Sequence, residues 1–300
     1  MRLDDYDNDI DVGEAQGGGG GFGGGGGGLL FGLLPLIGSR FGCGGIVVVL
    51  IVFALFGGLG NLGSLVGGGG GGTQSAPTSQ SAGKSGVAAV CNADPARRAT
   101  CNAFSSAENT WEQVFARSGE RFTPPGLRFY ADGARSGCGA AMSASGPFYC
   151  PTDNDIYLDT AFFDELSNRF GAKGDFAQYY VVAHEFGHHI QTLTGASERV
   201  QNIQRSSGQA EGNAASVRLE LQADCYAGVW AGLNRDRLEP GDVEEGMTAA
   251  AAIGDDTLTK GRASPETFTH GTSAQRQYWL RRGLQTADPA QCDTFAAGAV

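Results

Sequence analysis

Lysine is almost absent from this chain: Lys84, Lys173 and Lys260 stand alone against 18 arginines. No basic run is longer than a pair, and 32 acidic residues leave a net charge of −11. A chain with no basic face offers no footprint for a phosphate backbone, which excludes nucleic acid as a partner. No charged residue occurs between Phe41 and Gly83, and the first part of that stretch is apolar as well. There is no CxxC pair, which argues against a thiolate zinc site. Histidine is scarce too, and three of the four crowd into six residues, His184 to His189.

Glycine, by contrast, is abundant and unevenly placed: 29 of the 50 lie in the first 86 positions. Glycine-rich sequence loses much backbone entropy on ordering and has little to bury. Residues 1–41, an acidic run followed by the near-continuous glycines Gly17–Gly28, are therefore expected to be a disordered tail. Residues 42–66 read as a membrane anchor, since Gly44–Leu65 supplies the roughly 20 apolar residues a bilayer crossing needs. Residues 67–86 read as a flexible linker and 87–300 as the folded domain. Arg40 precedes the apolar stretch and the next charge after it is Lys84. The positive-inside rule then puts the tail in the cytoplasm, the lipid bilayer at the single anchor, and the domain outside.

Six cysteines belong to the domain, an even number that suits disulfides in an oxidising compartment. Proximity favours Cys91–Cys101 and Cys138–Cys150, leaving Cys225–Cys292.

The chemistry sits in HEFGHH. On a helix His184 and His188, four apart, share a face and can grip one metal ion, with Glu185 beside the open coordination position. Two imidazoles binding Zn2+ and a glutamate taking a proton from zinc-bound water is the chemistry of this spacing. His189 is turned about 100° away and cannot join the grip. A zinc site needs a third protein ligand. Gln191 and Thr194 stand where a metzincin carries glycine and histidine, which excludes that class. The gluzincin pattern asks instead for a glutamate on a later helix with an aspartate four residues on, and Glu220 and Asp224 supply both. Asp224 would accept the free ring N–H of a ligand histidine. His270 is the candidate partner for an oxyanion.

HEFGHHIQ, ELQADCYAGVW, GPFYCP and FTHGTSAQR together resemble the neutral zinc metallopeptidases of the YpfJ-like bacterial family, over about Ala107 to Phe295. The resemblance implies a zinc peptidase-like fold and a peptide or protein substrate. A more distant likeness is to membrane CAAX prenyl proteases and heat-shock membrane proteases. These carry HExxH, then E-x-x-A-D, then a histidine six residues before an arginine. It implies Glu220 as third ligand, Asp224 behind it, and His270 with Arg276 as active-site accessories. One departure stands out: the distant relatives have proline after that histidine, where this chain has Gly271.

The expected fold is α+β, a zincin-like (gluzincin) domain, mostly helical with a small sheet, behind a single N-terminal transmembrane helix. Helices are expected at about 105–117, 160–170, across HExxH with Asp175 as cap, across Glu220, and near 242–253 and 273–283. Strands are expected at LRFY and in a hairpin of PFYC and IYLD, with IYLD as the edge that pairs with substrate. The expected reaction is peptide-bond hydrolysis. A non-catalytic envelope module with structural zinc, and a zinc amidase acting on cell-wall peptides, remain open beside it.

Overall fold

The computed structural model describes residues 1–17, 84–142 and 146–300. The expected anchor and nearly all of the expected linker lie outside the described residues, as does the tail beyond Gly17. Among the described residues no helix is long and apolar enough to cross a membrane.

The domain is mostly helical with a small sheet, as an α+β chain should be. Helix α1 (Lys84–Cys91) takes in the last residues assigned to the linker and turns into α2 (Pro95–Ser118). Helix α2 starts ten residues earlier than expected, because Asp94 caps it by accepting the Arg97 N–H at 2.8 Å and Pro95 suits its first turn. The Cys91–Cys101 disulfide closes the α1–α2 corner. Phe104, Trp111 and Phe115 give α2 its buried stripe.

The main sheet has the order β1-β2-β6-β5, from β1 (Val12–Glu14), β2 (Gly126–Phe129), β5 (Phe148–Cys150) and β6 (Asp155–Leu158). Strand β2 runs parallel to both β1 and β6, while β5 returns antiparallel on β6 as a hairpin. Strands β3 (Gly133–Ser136) and β4 (Gly139–Met142) form a separate hairpin, tied to β5 by Cys138–Cys150. IYLD, expected at the sheet edge, is strand β6 and is paired on both sides, by β2 and β5. Its backbone groups are spent, so it cannot take a substrate strand; the edge strands of this sheet are β1 and β5.

Helices follow: α3 (Ala161–Phe170), α4 (Asp175–Leu193), α5 (Ala196–Ser206), α6 (Gln209–Leu233), α7 (Asp242–Ala252), the single turn α8 (Asp255–Leu258) and α9 (Ser273–Thr286). Asp175 is the first residue of α4 and not its cap; Gly174 holds the cap position at φ 107° without a side-chain bond. Two close helix crossings bring the chemical residues together. A Cβ on Gly187 of α4 would lie 3.0 Å from the Ala223 carbonyl oxygen of α6. A Cβ on Gly283 of α9 would strike the Cys225 carbonyl of α6. Glycine at both points lets the backbones touch, and side chains a turn away then meet across the seams.

The N-terminus departs most from expectation. Residues 1–17 are not a disordered tail. Met1, Ile10 and Val12 are buried in the main core, and β1 extends the sheet with Val12 opposite Leu127. The acids meet arginines of the body: Asp4 with Arg237 at 2.6 Å, Asp5 with Arg98 at 2.8 Å, Asp11 with Arg128 at 3.0 Å, and Glu14 with Arg97. Composition hides this because each partner lies 83 residues or more away, beyond the glycine-rich stretch.

Candidate metal centre

Helix α4 presents His184 and His188 on one face, and α6 presents Glu220 across the Gly187–Ala223 crossing. The three ligand atoms lie within 4.8 Å of one another. His184 Nε2 is 3.3 Å from one Glu220 oxygen and His188 Nε2 is 3.4 Å from the other. Burial alone would lower His184, but the hydrogen bonds it donates to Asp224 and Glu220 outweigh it and hold the imidazole up to about 9. Burial would raise Glu220; His188, His184 and His270 instead pull it well below the usual carboxylate range. In the metal-free pocket a charged carboxylate thus lies between two imidazoles that favour a proton, and a dication would supply that positive charge in the protons' place.

The other ring nitrogens are already engaged. His184 Nδ1 donates to Asp224 Oδ1 at 2.9 Å, and that oxygen also accepts from Tyr180 Oη at 2.6 Å and Arg276 Nη2 at 2.9 Å. His188 Nδ1 donates to Gln191 Oε1 at 2.8 Å. Both histidines therefore have Nε2 left to offer a lone pair. Two imidazole nitrogens and one carboxylate oxygen, with a position to spare, are a donor set that fits zinc. Arg276 also lies 3.6 Å from Glu220 Oε2, with its side chain almost fully buried. It sits behind the ligands, tying Asp224 and Glu220 together.

Glu185 lies on the same helix beside both histidines and is buried; burial raises its pKa, opposed by His188 and His184. His189 faces the other way. Its Nε2 donates to the Thr123 carbonyl at 2.7 Å and Nδ1 meets Tyr149 Oη at 3.2 Å, while burial pushes its pKa down to about 4. That histidine is a neutral core residue.

His270 is close enough for its charge to act on Glu220. Asp255, which sequence reasoning missed, holds it. One Asp255 oxygen accepts the backbone N–H groups of Thr269, His270 and Gly271 at 2.7–3.0 Å, and the other lies 3.1 Å from His270 Nδ1. Gly271 explains the departure from the distant relatives: its φ of +83° and its donated N–H are both closed to proline. Tyr180, Gln191 and Gln222 were missed as well. Tyr180 sits one helical turn before His184, on the same helix. A second acidic group, Asp175 and Asp242 with Glu245, meets the Met1 ammonium, with Asp242 at 2.8 Å.

Comparison with known proteins places the chain in a family. The sequence model described as "Putative neutral zinc metallopeptidase" matches residues 2–295. The chain is 49% identical over 209 residues to the uncharacterized protein YpfJ of Escherichia coli (strain K12), covering 68% of this chain and 73% of that one. It is 48% identical over 193 residues to the uncharacterized protein Rv2575 of Mycobacterium tuberculosis, covering 59% and 64%. No solved structure matches. With that match running almost from end to end, the chain belongs to the neutral zinc metallopeptidase family.

Proposed function

We propose that this chain hydrolyses peptide bonds with a zinc ion held by His184, His188 and Glu220. The observation that carries the reading is the convergence of three ligand atoms within 4.8 Å while both Nδ1 atoms are engaged elsewhere. Zinc bound there supplies a Lewis acid for the scissile carbonyl and lowers the pKa of its water to about 7. Glu185 takes the proton of the attacking water and delivers it to the leaving nitrogen, a task helped by the rise in its pKa. His270, oriented through Nδ1 by Asp255, can donate from Nε2 to the developing oxyanion when both of its ring nitrogens carry a proton. Arg276 is spent on Asp224 and Glu220, so its part is positioning. The free edge of β5 offers backbone groups to an extended peptide. Three disulfides support an oxidising, extracytoplasmic setting for the domain.

The test is a proteome-derived peptide library digested by the full-length chain and by Glu185→Gln, with zinc content measured on both. The variant should keep one zinc and lose about 10²–10⁴ in rate. An unimpaired rate would remove Glu185 from the mechanism. Loss of zinc together with cleavage would favour structural zinc, and cleavage confined to cell-wall peptides would favour the amidase.

A further inference from the structure

The second histidine of the pair is oriented by an amide chain that ends at a disulfide. Gln191 Nε2 has two acceptors, the Leu219 carbonyl at 2.6 Å and Gln222 Oε1 at 3.2 Å. Those two bonds fix which way the amide points, so Gln191 Oε1 must face His188 Nδ1. Gln222 in turn donates through Nε2 to the Cys292 carbonyl at 3.0 Å. Cys292 is bridged to Cys225, on α6 itself. Gln191 and Gln222 are both buried, where an unmet amide group costs far more than at the surface. Each link has one orientation that satisfies its neighbours, and reversing any amide would set donor against donor or acceptor against acceptor.

We propose that Gln191 and Gln222 are positioning residues that hold His188 in its Nδ1–H tautomer, and that the Cys225–Cys292 disulfide anchors this chain and so sets metal affinity. The inference rests on the zinc reading of the centre. The disulfide closes a separation of 67 residues and pins the C-terminal segment against α6. Without it, the Cys292 carbonyl is free to leave Gln222, the Gln222 amide can rotate, and Gln191 loses one of the two bonds that aim it at His188.

The test measures zinc affinity of the full-length chain by competition with a chromophoric chelator, with melting of the metal-free form recorded alongside. Gln191→Leu should weaken zinc about 10–100-fold, as expected for loss of a group that orients a ligand. Gln222→Met and the paired Cys225→Ser, Cys292→Ser variant should each weaken it several-fold. The decisive reading is non-additivity: in the Gln191→Leu background neither should weaken zinc further, because both act through Gln191. Additive losses would overturn the chain, since they mean independent structural damage. Unchanged affinity in a folded Gln191→Leu variant would overturn it outright. A wild-type chain that takes up no zinc removes the reading of the centre itself, and the inference with it.

An independent observation concerns the N-terminal segment. Strand β1 is hydrogen-bonded into the sheet, Val12 is fully buried, and the family's sequence model begins at residue 2. We infer that residues 1–17 and 84–300 occupy one compartment, so the chain between them does not deliver its ends to opposite faces of a membrane. This replaces the expected cytoplasmic tail with an element of the domain. Cysteines placed singly at Asp4, whose side chain is 81% exposed, and at Tyr278, 52% exposed, would be tested with a membrane-impermeant maleimide on intact cells. Both should react before lysis, or both only after it; reaction of one alone before lysis would overturn the inference. If labelling fails through misfolding, cysteines replacing the ion pair Asp5 and Arg98 should be joined in cells by a membrane-permeant bis-maleimide, and absence of that link in folded protein would count equally against it.

Discussion

The candidate metal centre and the cluster around Glu108, in the N-terminal clasp formed by residues 1–17 against α2, both gather carboxylates, but they treat charge in opposite ways. At the centre Glu220 and Asp224 are buried, and each faces cations or donors: two imidazoles, Tyr180 and Arg276. Glu220 is held well below its usual range as a result. In the clasp, Asp7, Asp9, Asp11 and Glu112 surround Glu108 with charge of its own sign. Glu108 is partly buried, and burial first, then its neighbours, raises it to about 7. Ionised acids matched to cations make a ligand set; crowded acids without enough cations make a proton-binding site. The number of acids does not distinguish the two regions, whereas the sign of what faces them does.

The largest effect should come from breaking the matched region. Glu220→Ala removes the carboxylate between the histidines, and elemental analysis should find zinc lost from the purified chain and activity with it. Retention of stoichiometric zinc would mean the centre is built otherwise.

Next is Arg276→Met, which leaves Asp224 and Glu220 buried without their cation. Urea unfolding of the metal-free chain should show a loss of about 3–5 kcal/mol, the usual cost of orphaning a buried partner. Zinc restores positive charge to the pocket, so the loss should shrink when it is bound.

A smaller effect tests the clasp. Ile10→Ala should cost about 2–4 kcal/mol if residues 1–17 are core, and nothing if they are a tail.

The smallest effect concerns Glu108. Its folded carboxyl holds a proton up to about pH 7, whereas the unfolded one releases it near 4.5. Folding therefore takes up a proton across that window, and stability falls as pH rises through it. Glu108→Gln should flatten this slope, raising Tm by about 2 °C at pH 8 and leaving it unchanged at pH 4, a modest figure because the group is partly solvated.

Much of the centre could be read directly. His184 with His188 is one helical pair, flanked by Glu185, and Glu220 with Asp224 is another at the same spacing, so periodicity alone puts each pair on one face. The three disulfide pairings follow from short separations and elimination, and all three are present. Asp255 and Gln222 escaped notice because each acts on a residue brought to it by folding: Asp255 meets His270 fifteen positions on, and Gln222 meets Gln191 across two helices. A lone aspartate or glutamine carries no local signature of such a task. Strand β1 escaped for the same reason, compounded by composition: its acids look solvated until their arginines are known.

The sequence by itself determined the local chemistry: which residues can bind metal or move a proton, and which face of which helix they share. Those properties depend on neighbours three and four positions away and on side-chain identity. Tertiary structure alone decided which of the two ring nitrogens each histidine keeps for a ligand, that IYLD lies inside the sheet, and that the first 17 residues belong to the domain. Each of these depends on a hydrogen bond between backbone or side-chain groups far apart in the chain, and close helix crossings at Gly187 and Gly283 bring the groups of the centre within reach.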